Sequence, residues 1–157
     1  MLLQPGHAYR IEDLLPHGPG FMLLDRLAGY EADAVTCEVT IRADSPFCDG
    51  HAVPAWVGLE YMAQTFGAYT GIAHLQNGRL IQLEMLLGTR AYDAAVDAFP
   101  VGARLTIHAR QLFWDPDGVC AFTCEIREGA RVLARSEVKG FDPLELEPFL
   151  RSLETGA

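Results

Sequence analysis

Basic residues are scarce in this chain: 12 Lys and Arg stand against 21 Asp and Glu, a net charge of −9. A surface so short of positive charge does not bind nucleic acid non-specifically, because that binding displaces counterions with a basic face. It is equally unsuited to anionic membrane surfaces. Charged residues make up only 21% of the sequence and hydrophobic ones 50%, which excludes a disordered chain. Repeats, low-complexity stretches and linker-like segments are missing. The 157 residues therefore read as a single domain, 1–157, with a sizeable core.

Cysteine is sparse as well. Cys37, Cys48, Cys120 and Cys124 form no Cys-x-x-Cys pair. A domain of this size needs no disulfide framework, so buried reduced thiols are expected. His7, His17, His74 and His108 are scattered without metal-ligand spacing, and no metal or other cofactor is expected. Dinucleotide, phosphate-loop and Gly-x-Ser-x-Gly patterns are lacking. The N-terminal residues carry no signal-peptide pattern. The long apolar stretch from Ala52 to Leu75 has Glu60 and Gln64 near its middle, which argues against a membrane span. A cytoplasmic location is the expectation.

What is present is periodic. Residues 11–15 suggest a short helix ending at Pro16, followed by a glycine-rich turn and a short strand from Phe21 to Asp25. Val35, Cys37, Val39 and Ile41 alternate with Thr36, Glu38 and Thr40, the pattern of a half-buried strand. Pro54 suits the first turn of a helix running to about Ala73. That helix is apolar on almost every side and should be covered on most of them. Leu80 to Leu87 is a further strand candidate. A meander follows from Arg104, turning at Asp115-Pro-Asp-Gly118 and at Gly129 and ending at Phe141, with a short amphipathic helix over 144–153. The fold class this predicts is α+β: a curled antiparallel sheet around a long central helix.

Glu60 sits on the second turn of the apolar helix, with Gln64 one turn later on the same face. A carboxylate buried there should have a raised pKa unless it is paired. The alternative is a polar residue where the helix surfaces. His51 lies nine residues earlier, in the loop Phe47-Cys-Asp-Gly-His51. A lone loop histidine is ordinarily solvated, but a neutral imidazole and a protonated carboxyl together form the base–acid pair of an elimination reaction. Free backbone N–H groups between Pro54 and Trp56 could polarise a carbonyl. Cys48 with His51 is a weaker nucleophile–base pairing, and a packed thiol is the plainer reading.

Several motifs then resemble one family. Leu15-Pro-His-Gly-Pro-Gly-Phe-Met-Leu-Leu-Asp-Arg26 resembles the opening signature of the FabZ-type 3-hydroxyacyl-acyl carrier protein dehydratases. Phe47 to His51 is similar to their histidine loop, and Pro54-Ala-Trp-Val-Gly-Leu-Glu60-Tyr-Met-Ala-Gln64 to their central-helix motif. Met85-Leu-Leu-Gly88 and Phe99-Pro-Val-Gly102 resemble the later strand and turn, so the likeness covers roughly residues 14 to 141. His51-Ala-Val-Pro54 is shorter than the FabZ loop and Ala55 replaces its glycine; the shortened loop with Trp56 and Glu60-Tyr-Met-Ala-Gln64 is most similar to the ApeP-type dehydratases of aryl polyene clusters. The resemblance implies a hotdog fold and a dimer in which the histidine of one protomer faces the acid of the other. It implies His51 as base, Glu60 as acid, Gln64 orienting Glu60, and Pro54, Ala55 and Trp56 at the thioester, with the N–H of Ala55 or Trp56 holding its oxygen. The implied partners are an acyl carrier protein bearing a phosphopantetheine thioester and, in a homodimer or hetero-oligomer, another hotdog dehydratase.

Two other functions stay open at this stage: a hotdog acyl thioesterase, and a non-catalytic subunit that stabilises an active partner. An acidic carrier protein would need a local basic patch. Residues 101–141 hold six cations and five anions and are nearly neutral against the acidic remainder. By strand parity Arg131, Arg135 and Lys139 share one face there.

Overall fold

The all-round apolar helix requires cover on two sides, and the chain supplies it from two sources. In the computed structural model, which describes residues 1–16, 18, 20–82, 85–142 and 146–156, the central helix α1 spans Gly58–Gln76. Six strands form one antiparallel sheet: β1 (Arg26–Tyr30), β2 (Ala34–Thr40), β4 (Met85–Ala94), β6 (Arg104–Trp114), β7 (Val119–Glu128) and β8 (Arg131–Phe141). Their spatial order is β1-β2-β6-β7-β8-β4. Two short strands, β3 (Ala52–Pro54) and β5 (Ala98–Pro100), pair separately beside the start of α1. A terminal helix α2 covers Leu146–Thr155. No helix among the described residues is long and apolar enough to cross a membrane.

One side of α1 packs on β2, β6, β7 and β8. Phe66 and Tyr69 meet Phe122 with ring centroids 4.8 and 5.0 Å apart, the tilted and edge-on geometries that aromatic quadrupoles favour. The other side is covered by the N-terminal segment, whose Leu3, Ile11, Leu14, Leu15, Leu23 and Leu24 are buried. Gly71 lets this segment come close: a Cβ there would run into the Leu14 carbonyl. Near the helix C-terminus, His74 Nε2 lies 2.6 Å from Asp142 Oδ2, and the two side chains are 1% and 0% exposed. Gln82 donates to the other oxygen of Asp142, so that carboxylate is satisfied on both sides.

The strands Val35–Ile41 and Arg104–Phe141 and the Asp115–Gly118 turn lie where alternation and turn chemistry put them. The first helix is a 3-10 turn over Ile11–Asp13, and a second such turn, Ala55–Val57, precedes α1. Two strand assignments shift. Phe21–Asp25 is not a strand, because Gln64 takes the Phe21 carbonyl and the Leu23 N–H, and pairing with β2 starts only at Arg26. The Leu80–Leu87 strand is found instead at Met85–Ala94, a mostly exposed edge strand whose pairing with β8 shifts at Leu86/Gly88 and at Arg90/Asp93, so no period-2 pattern marks it. Of the residues that figured in the expectations, His17, Pro19, Leu83, Glu84, Leu144 and Glu145 lie outside the described residues. None of the four cysteines is in a disulfide, and burial pushes the thiols of Cys37 and Cys124 up to about 12, which keeps them protonated and inert.

Replacing Gly71 by Ala sets helix propensity against packing. Alanine is favoured in a helix interior by about 1 kcal/mol, but an added methyl in a packed site costs on the order of 1–3 kcal/mol. The backbone carbonyl of Leu14 has little freedom to yield, so Gly71→Ala should lower the urea midpoint. A midpoint at or above wild type would contradict the close approach.

Candidate active site

The sequence-predicted residues collect where β3 runs into α1. His51 ends the loop before β3, and its carbonyl accepts from Val101 N at 2.9 Å, just beyond β5. The loop is shaped by Asp49, whose Oδ1 accepts from His51 N at 2.8 Å and Ala52 N at 2.9 Å. These two N–H groups, Ala52 first, hold the Asp49 carboxyl below the usual carboxylate range. The His51 side chain is exposed, and its ring forms no hydrogen bond among the described residues.

Pro54, Ala55 and Trp56 follow directly. The Ala55 N–H is already committed to the Asp97 carbonyl at 2.9 Å. The Trp56 N–H has no acceptor among the described residues. Of the two candidate donors for a thioester oxygen, Trp56 is therefore the free one. It stands at the positive end of a 19-residue helix. Its indole is 63% exposed and meets the ring of Phe47, 58% exposed, at a centroid distance of 5.5 Å. Phe47 holds a left-handed backbone, φ 66°, in the loop that leads to His51.

Of the two readings of Glu60, the polar residue where the helix surfaces is the one observed, not the buried carboxylate. It is exposed on the first turn of α1. Gln64, by contrast, is only 2% exposed. Its Oε1 accepts from Leu23 N at 2.9 Å, and its Nε2 donates to the Phe21 carbonyl at 2.9 Å and to Glu60 Oε1 at 3.1 Å. The backbone partners fix which way the amide points, because a carbonyl cannot face Phe21 O, nor an NH2 group the Leu23 N–H. Only a donor is thus left for Glu60. Glu60 Oε1 receives that hydrogen.

The site is open on its outer side. His51 and Glu60 of one protomer make no hydrogen bond or ion pair with each other. Among the described residues no His, Cys, Asp or Glu cluster could hold a metal ion. Cys48 is half-buried and free.

The basic patch is rearranged. Leu133 and Ala134 are both buried, so a bulge breaks the alternation of β8 and puts Arg131 out of phase with Arg135 and Lys139. Arg135 and Arg127 both donate to Glu125, at 2.9 and 2.7 Å, and hold that carboxyl below its usual range, Arg127 foremost. The predicted three-cation face does not form.

Sequence reasoning missed two further participants. The Asp-Gly-His order at 49–51 is the signature of an Asx turn, which was there to be read. Tyr92 carried no local signal: its hydroxyl reaches the Ala55 carbonyl from 37 residues away.

Comparison with known proteins places this geometry. The dehydratase heterocomplex ApeI:P from Xenorhabdus doucetiae has a chain that is 31% identical, with a TM-score of 0.82 over 92% of this chain and 97% of that one. The 3-hydroxyacyl-[acyl-carrier-protein] dehydratase FabZ of Chlamydia trachomatis serovar D is 29% identical over 135 residues, 82% of this chain and 86% of that protein. FabZ of Chlamydia pneumoniae is 34% identical over 83 residues, where the chain spans about half the relative's length, 54%. The fold is the hotdog fold. The family model of the ApeP dehydratases matches residues 9–151, and the chain belongs to the ApeP-like family.

Proposed function

We propose that the chain dehydrates 3-hydroxyacyl thioesters carried on acyl carrier protein, giving trans-2-enoyl thioesters and water in the cytoplasm. The observation that carries this reading is the join of Gln64 and Glu60 beside an unpaired Trp56 N–H, with His51 on the neighbouring loop. His51 takes a proton from the carbon next to the thioester. The charge that builds on the thioester oxygen is met by the Trp56 N–H and the helix N-terminus. The carbon–oxygen bond of the 3-hydroxyl breaks as Glu60 Oε2 gives up its proton, and the oxygen leaves as water. The pair of electrons from the broken C–H bond becomes the new double bond. Gln64 keeps Glu60 aimed throughout. The elimination calls on no cofactor.

The exposed Glu60 and the open site support a catalytic unit made of two hotdog protomers, the histidine of one facing the acid of the other. The likeness to a chain of the ApeI:P heterocomplex favours a second, different hotdog subunit as the partner. An acyl carrier protein delivers the substrate on its phosphopantetheine arm.

General acid–base groups contribute roughly 10²–10⁴-fold to rate. His51→Ala and Glu60→Gln, each in the assembled oligomer, should lower the rate of dehydration of a 3-hydroxyacyl carrier protein by that order. Wild-type rates in both would sink the reading. Gln64→Leu should leave the Leu23 N–H buried and unpaired at a cost on the order of 1–3 kcal/mol. It should also slow turnover, because Glu60 loses its aim. A slow Gln64→Leu enzyme is the expected result from stopped assays of product formation, and full activity at full stability would rule out the positioning role.

A further inference from the structure

We propose that Tyr92 is a positioning residue for dehydration, acting through the peptide group between Ala55 and Trp56; the inference rests on the dehydratase reading above. The Tyr92 hydroxyl donates to the Ala55 carbonyl at 2.5 Å. That carbonyl and the free Trp56 N–H belong to one trans peptide, so they point in opposite directions. Holding the oxygen on one side sets the direction of the N–H on the other. A hydrogen bond to the carbonyl also polarises the peptide, which strengthens its N–H as a donor.

Three features of the chain serve this contact. Among the described residues only Phe47 and Ala91 lack glycine's freedom yet have positive φ. Ala91, φ 49°, sits with Tyr92 in the bulge of β4 between Arg90 and Asp93. A bulge redirects a side chain, and here it brings the phenol to the helix start. Gly58 makes room for it: a Cβ there would strike the Tyr92 hydroxyl, with Ile126 and Phe99 closing the other sides. The Ala55 N–H is tied to the Asp97 carbonyl, so both ends of this residue are held from the 91–97 segment. Phe47, the other strained residue, packs on Trp56 itself. Backbone strain of this kind persists where the surrounding structure holds it, and both instances lead to the same 3-10 turn. Burial pushes the Tyr92 phenol up to about 12, so its proton stays in place at neutral pH.

The test is Tyr92→Phe in the assembled oligomer, which removes one oxygen and keeps the ring. Loss of a hydrogen bond felt mainly in the transition state should lower kcat about tenfold with KM changed less than about twofold. A trans-2-enoyl pantetheine thioester bound to the enzyme reports the polarisation directly. Its carbonyl stretching band, read by difference Raman spectroscopy, should move in Tyr92→Phe toward its position in water. The band is read on folded, assembled protein, so a loss of stability cannot imitate the shift. Wild-type kcat, or an unmoved band, overturns the role of Tyr92. His51→Ala in the same preparation separates the two levels. If His51→Ala is inactive while Tyr92→Phe is normal, only the positioning role falls. If His51→Ala runs at wild-type rate, the dehydratase reading fails and this proposal falls with it.

Discussion

One buried carboxamide joins the fold to the chemistry. Gln64 must satisfy a carbonyl oxygen and two N–H hydrogens out of reach of water, and an unmade bond there would cost on the order of 1–3 kcal/mol. It meets that demand with the Leu23 N–H, the Phe21 carbonyl and Glu60. The first two anchor the N-terminal segment, which covers the side of α1 that the sheet leaves bare. The third aims the one carboxylate of the helix. The cover of the helix and the placing of its carboxylate therefore share a single side chain, and the arrangement explains why a polar residue lies inside an otherwise apolar helix.

The start of α1 is built on the same economy. The Ala55 residue is held at its N–H by Asp97 and at its carbonyl by Tyr92, which leaves the Trp56 N–H as the free donor. Ala91 accepts a left-handed backbone beside Tyr92, and Phe47 does so where its ring packs on Trp56. The hydrogen bonds that hold this turn come from the 91–97 segment, and Trp56 and Glu60 stay exposed beside it. An exposed Glu60 in one protomer fits a site that a neighbouring subunit closes.

Much of this was legible in the sequence, for physical reasons that can be named. The Val35–Ile41 alternation and the Asp115–Gly118 turn have local causes, and they fall in place. The apolar helix was readable too, although its first turn is 3-10. The Phe21–Asp25 strand failed because a side chain 41 positions away claims its backbone groups. The extent of β4 was hidden because the strand is mostly exposed and two register shifts interrupt its period. At the site, His51, Glu60 and Gln64 stood out by type and spacing, but whether Glu60 was buried or exposed could not be read from its apolar neighbours. Parity failed for Arg131 because a bulge at Leu133 inserts one residue. Tyr92 could not be found at all, since nothing near it in sequence points to Ala55.

The most direct measurement is a crystal structure of the assembled oligomer with a bound trans-2-enoyl thioester. The thioester oxygen should lie within hydrogen-bonding distance of the Trp56 N–H, with Glu60 covered by the neighbouring subunit and still joined to Gln64. A thioester bound elsewhere, with Trp56 N–H and Glu60 both left facing solvent, would contradict the account.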